Sequence, residues 1–383
     1  MNRRISNKKL ILWLHLWPGL ISAAIIFFVC ITGTIAVYCD EIMALSAGDA
    51  RFVKEVKETQ KPAEELIDII KKEFPKRNTP SYMVSYKDPE RSVRFNTFSR
   101  EEGLSMVYID PYTGEILKDD GTIYFFYITV HLHNSFLLGK TGQWIIDIAT
   151  IIFILEIITG LYLWWPKKRN KKAMDAAFKI KTGSTKKRLN YDLHKVLGFY
   201  AAAVILLLSV TGLLIAFEPL SQSLMKAFGA DTTHDWQKEL PKYKEGQAPL
   251  ELNPFIERSF EKYPDKKEMQ IYTYRMDSSG YYMMRVANQV GLKSAQSPEY
   301  VIYDRFSGDE IKLPESALKH EKVDNAIWVL HMGNWMGQIG KFITFLGGLI
   351  ATSLPVTGFY IWWGKRKKNE RNSKAEQNRN AFE

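Results

Sequence analysis

Thirty consecutive residues, Leu10–Cys39, contain no Asp, Glu, Lys or Arg. A helix needs only about 20 apolar residues to cross a bilayer core, so this block can span one with residues to spare. Val196–Phe217 and Phe342–Gly364 repeat the pattern, and Trp144–Trp165 is apolar except for Asp147 and Glu156. The spacing predicts four membrane helices. A cleaved secretory signal does not fit the first block, because a signal's apolar core is only about 7–15 residues and no small-residue cleavage site follows. The composition, 46% hydrophobic and 25% charged, averages over these alternating blocks and excludes a disordered or collagenous chain. Two cysteines in 383 residues exclude a disulfide scaffold. Cys30 and Cys39 lie nine residues apart on one predicted helix and cannot pair with each other.

Charge orients the spans. Residues 1–9, 166–190 and 364–383 hold 21 of the 52 Lys and Arg but only four acids, a local charge of +17; the remainder sums to −7, against +10 overall. By the positive-inside rule both termini and the 166–190 loop are cytoplasmic, and the two long connections face outward. Trp164, Trp165, Trp362 and Trp363 stand just before basic clusters, as aromatic anchors at the inner interface would. The positive charge abuts apolar spans and no nucleic-acid motif accompanies it, so anionic lipid explains it and no nucleic-acid partner is expected.

The chain is internally duplicated. His15, Gly19, Thr32 and Gly33 recur 179 residues later as His194, Gly198, Thr211 and Gly212. His133, Gly139, Gly142, Thr159, Gly160, Tyr162, Trp164 and Trp165 recur 198 residues later as His331, Gly337, Gly340, Thr357, Gly358, Tyr360, Trp362 and Trp363. The outer segments repeat more weakly, Asp110-Pro-Tyr-Thr-Gly114-Glu matching Asp304-Arg-Phe-Ser-Gly308-Asp. Each half therefore reads as helix, outer domain, helix. In membrane proteins built this way, function sits at the repeat interface.

Four of the seven histidines belong to the duplication. His15 and His194 begin the odd helices on the cytoplasmic side, while His133 and His331 precede the even helices on the outer side, giving one pair in each leaflet. Gly19 and Gly198 lie four residues on, one turn deeper on the same helical face, and the missing side chain leaves room for a flat ligand. Gly33 and Gly212 reopen that face five turns later. Bis-histidine ligation of two haem b groups fits this arrangement, because a planar macrocycle needs an imidazole on each face and small residues where its edge meets backbone. A zinc or copper site fits less well, since no Cys or carboxylate completes a four-ligand set. Interhelical hydrogen bonding by His and Thr is the plain structural alternative. His131 has no duplicate, and its i, i+2 relation to His133 points the two about 200° apart on a helix. It is either an exposed interfacial residue or a partner for a haem propionate or iron substrate. Glu156 is an intramembrane carboxylate and so a functional candidate, as proton acceptor near a quinol or as a structural partner of a Thr.

From His133 to Trp165 is about 48 Å as one continuous helix, too long for a core of about 30 Å. The Gly-rich runs at 139–142 and 337–340 offer breaks, so residues 123–138 and 324–336 are predicted as interfacial or re-entrant helices. The outer segments each read as one amphipathic helix (63–74 and 254–263) followed by short strands at 82–86, 93–98 and 106–109, and at 269–274, 281–287 and 300–303. The expected fold is an all-α membrane four-helix bundle of duplicated two-helix halves with two small α+β outer domains. The expected parts are membrane helix 1 (1–39), outer domain 1 (40–122), interfacial helix and membrane helix 2 (123–166), a cytoplasmic loop (167–190), membrane helix 3 (191–217), outer domain 2 (218–323), interfacial helix and membrane helix 4 (324–364), and a cytoplasmic tail (365–383).

Leu14-His15-x-x-x-Gly19, the Thr-Gly pairs, His133 with its following Gly-x-x-Gly, and Thr159-Gly-Leu-Tyr-Leu-Trp-Trp-Pro166 resemble the PepSY-associated transmembrane family of bacterial iron-regulated membrane proteins. The outer domains with their Asp-Pro-Tyr-Thr-Gly-Glu turn resemble its PepSY modules. The resemblance implies a bacterial inner-membrane dihaem b protein with periplasmic PepSY-like domains. It further implies a haem-dependent ferric reductase that reduces a ferric siderophore or other ferric chelate for iron uptake. The matched haem ligands are His15, His133, His194 and His331. Some relatives carry a fused reductase domain; this chain shows no such extension and no G-x-G-x-x-G fingerprint, so quinol or a separate reductase is the expected electron donor. The competing reading is a non-redox membrane regulator whose PepSY domains bind or inhibit periplasmic peptidases.

Overall fold

The computed structural model describes residues 7–274, 276 and 278–380, with backbone alone at 368–369 and 371–380. The basic residues Arg3 and Arg4 and the final Glu383 lie outside the described residues. The chain divides into two units. A helical unit comprises residues 1–37, 129–217 and 336–383, and a second unit comprises residues 38–128 and 218–335.

In the helical unit four helices are long and apolar enough to cross a membrane: Asn7–Ala36, Gly139–Trp164, Lys186–Ala216 and Asn334–Lys367. Only 22–33% of each apolar stretch is buried inside the protein, and outward residues such as Ile21 are 77% exposed. At about 1.5–3 kcal/mol for each large apolar side chain left in water, these faces require lipid as their solvent. The first and third helices each pack against both the second and the fourth. Their shared core joins Ile26, Phe153, Ile157 and Ile205 with the small residues Ala149, Ala201, Ala202 and Ala351. Small contacts suit a membrane interior, where helices gain nothing by leaving lipid and associate through close packing. At Gly347, for example, a Cβ would lie 2.7 Å from Val204 Cγ1.

Helix irregularities follow the sequence. Pro18 lies inside the first helix and Pro355 inside the fourth. The third helix starts at Lys186, five residues before the expected boundary, capped by Thr185, whose Oγ1 accepts from Arg188 N at 3.4 Å. It passes through a single π-turn at Leu193–Leu197 before resuming as Gly198–Ala216. The break before the second membrane helix falls at Phe136–Gly139, where Phe136, Leu137 and Gly139 all take positive φ. Its counterpart uses Gly333 and Gly337, the latter at φ 56° beside 57° for Gly139. Helices Thr122–Ser135 and Glu315–His331 precede these breaks, the second starting earlier than expected because Pro314 caps it.

One anchor expectation needs correction. Trp165 is exposed, but Trp164 is buried: its ring stacks on Phe199 at 3.7 Å and its Nε1–H donates to Ala177 O at 3.0 Å. The buried indole thus finds its hydrogen-bond partner in the helix Lys171–Phe178 that follows.

The second unit departs from two separate outer domains. Strands β1 (Tyr82–Tyr86), β2 (Val93–Ser99), β3 (Gly103–Ile109) and β4 (Ile116–Asp120) come from the first outer segment. From the second come β5 (Glu268–Tyr272), β6 (Tyr281–Ala287), β7 (Gln289–Val290), β8 (Ala295–Gln296), β9 (Glu299–Asp304) and β10 (Glu310–Ile311). β7 and β8 form a small hairpin; the other eight make one antiparallel sheet in the order β10-β9-β6-β5-β1-β2-β3-β4. The segments join where β1 pairs with β5, Val84 opposite Gln270. Helices Ala63–Glu73 and Asn253–Lys262 cover one face, burying Leu66, Ile70 and Phe255 on Met83, Phe95, Ile271 and Met284. They are also tied to each other: Asn253 Oδ1 accepts from Ala63 N at 2.9 Å, and Glu64 Oε1 accepts from Leu252 N at 3.0 Å.

The duplicated turns have matching geometry. Asp110 Oδ1 accepts from Tyr112 N and Thr113 N (2.8 and 3.2 Å), and Asp304 Oδ1 accepts from Phe306 N and Ser307 N (2.7 and 3.0 Å). Gly114 and Gly308 close these turns at φ 78° and 80°, a conformation other L-residues rarely adopt. The molecule is therefore a multi-pass membrane helical protein with an additional β domain drawn from both halves.

Candidate functional site

His15 and His194 meet inside the helical unit, with ring centres 6.3 Å apart and planes inclined at 72°. Each is seated by the even helix of its own half. His15 Nδ1 lies 3.0 Å from Thr159 Oγ1, and His194 Nδ1 lies 3.0 Å from Thr357 Oγ1. The adjacent glycines receive the rings: a Cβ at Gly160 would stand 3.1 Å from His15 Cε1, and one at Gly358 would stand 3.3 Å from His194 Cε1. Two His-Thr-Gly seats, unrelated in contact but matched in sequence, thus have one geometry.

The hydrogen bonds favour one tautomer. A Thr hydroxyl has one proton, and Thr159 spends its own on the Leu155 and Glu156 carbonyls (2.7 and 3.2 Å). Thr357 likewise donates to Ser353 O and Leu354 O (2.9 and 3.1 Å). With its proton so used, each hydroxyl is placed to accept from the imidazole, an arrangement that favours the proton on Nδ1 and a lone pair on Nε2. Metal-binding histidines are prepared in this way, one ring nitrogen donating to the protein while the other ligates. Two imidazoles on opposite sides of one metal, each bond about 2 Å long with a ring radius beyond it, place their centres about 6 Å apart. The observed separation matches.

His133 follows the same rule with a different acceptor. Its Nδ1 donates to Val29 O at 2.8 Å, with Thr32 Oγ1 3.5 Å away, again leaving Nε2 free of the proton. A Cβ at Gly33 would fall 2.7 Å from His133 Cε1, so this glycine too is the floor of a histidine seat. His131 is half-buried two residues earlier on the same helix, and His331 ends helix Glu315–His331 in the β-domain unit. His234 and His320 belong to that unit as well, their rings in edge contact at 4.5 Å, with His320 Nδ1 donating to Asp231 O.

The glycines do not hold the expected open slots. The space beside Gly19 is filled by the Glu156 carboxyl, 2.9 Å from where a Cβ would be, and that beside Gly198 by Leu354 at 3.4 Å. Since Glu156 and Leu354 occupy duplicate positions, these contacts are also equivalent. Gly33 is filled by His133, as above. These three glycines act as seats for side chains from the paired helix, not as clearance for a ligand edge. Glu156 Oε2 lies 3.0 Å from His15 Nδ1, and its buried Oε1 has no hydrogen-bond partner among the described residues. The residues thus fit the binding of a haem iron, through two imidazoles whose ring centres lie 6.3 Å apart. Among the described residues no cluster of three or more His, Cys, Asp or Glu could hold a metal by itself.

Thr159 and Thr357 were visible in the duplication only as repeated letters. Their adjacency to Gly160 and Gly358 was the available signal, since consecutive helix positions can present a hydroxyl and a gap to one ring. The Val29 carbonyl carries no side-chain signal at all.

The family model describing the PepSY-associated TM region matches residues 12–365, nearly the whole chain, which therefore belongs to that family. No curated protein matches it.

Proposed function

We propose that this member of the PepSY-associated transmembrane family is a dihaem b electron carrier whose four helices act as one bundle in a bacterial inner membrane. Both termini lie in the cytoplasm and the β domain in the periplasm, where the protein reduces a ferric siderophore or other ferric chelate for iron uptake. The observation that carries the reading is the paired His-Thr-Gly seat, with the two imidazole ring centres 6.3 Å apart. His15 and His194 would hold one haem, and His133, whose Nδ1 likewise donates to the protein, would serve the second. Haem b bound there supplies a one-electron couple.

Thr159 and Thr357 hold the ligating tautomer and fix ring orientation, while Gly160 and Gly358 let the rings approach their helices. The surrounding apolar core excludes water and ions. On the substrate side Fe(III) takes one electron and becomes Fe(II), which hard oxygen chelators hold less firmly. A quinol donor gives up two electrons and two protons and so reduces two ferric ions, while a separate reductase could deliver electrons singly. The basic segments that flank the spans support cytoplasmic termini.

The test is a reduced-minus-oxidised visible spectrum of protein purified after haem-replete expression, with haem quantified per chain. Two b-type haems are expected, and after dithionite reduction and removal of the excess reductant a ferric chelate should reoxidise them, one electron per Fe(III) reduced to Fe(II). A folded, haem-free preparation would overturn the reading.

A further inference from the structure

The sheet face opposite helices Ala63–Glu73 and Asn253–Lys262 carries a cross-strand row: Tyr108, Arg94, Val84, Gln270, Arg285, Tyr300. Residues directly opposed in antiparallel strands share a face. The row is nearly symmetric about the Val84–Gln270 pair, so Arg94 and Arg285 are counterparts in the two halves. The Nε of each is buried without a hydrogen-bond partner among the described residues, an expensive condition for a charged group.

The surroundings of the two differ. Arg285 donates through Nη2 to Gln270 Oε1 at 2.5 Å, and its charge acts on Glu321 and Asp324 of helix Glu315–His331. Arg94 donates through Nη2 to Val290 O at 2.8 Å and reaches Tyr108. It also lines a cavity of about 200 Å³ together with Arg51 and Arg91. Arg51 Nε is occupied by Gly48 O and Arg91 Nε by Arg51 O, at 3.1 and 3.2 Å. The Arg91 guanidinium lies over the Tyr86 ring, its Cζ 3.9 Å from the ring centre. Two carboxylates also border the cavity, and both accept from backbone: Asp40 Oδ1 from Leu292 N at 2.8 Å, and Glu268 Oε2 from Val290 N at 2.7 Å. Among the described residues none of the three guanidiniums makes an ion pair with a carboxylate within 4 Å. Each row arginine thus has two carboxylates in its neighbourhood, but only the Arg94 side adds two more cations and a void.

We propose that this cavity binds a compact multivalent oxyanion, a phosphate or a short polycarboxylate, held by Arg51, Arg91 and Arg94. Guanidinium forks match such oxygens in pairs, and three of them converge on this one cavity. At about 30 Å³ per water molecule the space holds roughly six or seven waters, enough for either anion and too little for a whole siderophore. The proposal does not depend on haem being bound.

The test is isothermal titration calorimetry on the full chain in detergent, at constant ionic strength, with inorganic phosphate and citrate in separate runs. Saturable one-site binding of at least one anion is expected. Phosphate alone would assign a tetrahedral ligand and citrate alone a carboxylate. Arg94→Gln and Arg91→Gln should each weaken binding about tenfold or more, while Arg100→Gln, an exposed change of the same charge, leaves it intact. Should Arg94→Gln fail to fold, the half-exposed Arg91→Gln carries the test, with circular dichroism confirming its fold. No saturable heat from either anion at about 10 mM, some hundredfold above the ~0.1 mM dissociation constant of a modest site, would overturn the proposal. So would equal weakening by Arg100→Gln.

Discussion

The two halves build their inner histidine seats from the same three parts and surround them differently. His15, Thr159 and Gly160 correspond to His194, Thr357 and Gly358 in identity, contact and distance. One turn away the match ends: Glu156 packs on Gly19 in the first half and Leu354 on Gly198 in the second. Backbone relief differs too. Pro18 removes an N–H from the first helix three residues after His15, whereas the third helix opens into a π-turn around His194. The seat is constrained because tautomer and ring position must both be correct, and its neighbourhood has been free to diverge. Only the first half sets a carboxyl against its imidazole.

The strongest way to break this equivalence is to remove the ligands singly. His15→Ala and His194→Ala should each abolish the same haem, about half of the total b-type absorbance, and a variant that keeps both haems would show the pair to be unequal. Next in size is Leu354→Glu, which copies the first half into the second. A carboxylate at mid-span costs about 2.5–3.5 kcal/mol, so folded yield and thermal stability in detergent should both fall. Thr159→Val and Thr357→Val sharpen the comparison from the other side. Each should weaken haem retention roughly 10–100-fold, and to a similar degree, as judged by haem loss to an apo-globin scavenger. The smallest effect is expected of Glu156→Leu. Replacing a carboxyl that has one orphaned oxygen with the residue its counterpart already uses should stabilise the fold by about 1 kcal/mol with haem content unchanged, read from melting curves.

The membrane helices were legible because uncharged runs of this length have few other uses, and the His and Gly duplication located the seats. What the residues should do there was less legible. A glycine one turn from a histidine looks like clearance for a ligand, yet Gly19 and Gly198 accept side chains from the neighbouring helix, a tertiary relation that no single-helix pattern contains. Trp164 fits an interfacial anchor by position, but its fate depended on helix Lys171–Phe178 folding beneath it. In the β domain the alternating strands such as Val93–Ser99 stood out. β4, Ile-Leu-Lys-Asp-Asp, did not, because an edge strand can carry charge where a central one cannot. The joining of two outer segments into one sheet was invisible for a related reason: β1 looks the same whether its second neighbour is solvent or β5.

That joint between β1 and β5 also sets a timetable. Val84 waits for Gln270 to be synthesised, roughly 10–40 s at about 5–20 residues per second, with two membrane crossings completed in between. During that interval the first outer segment exposes an unpaired strand edge, the feature most prone to pairing with the wrong chain. Biogenesis of this protein should accordingly depend on whatever shields that edge until the second half arrives.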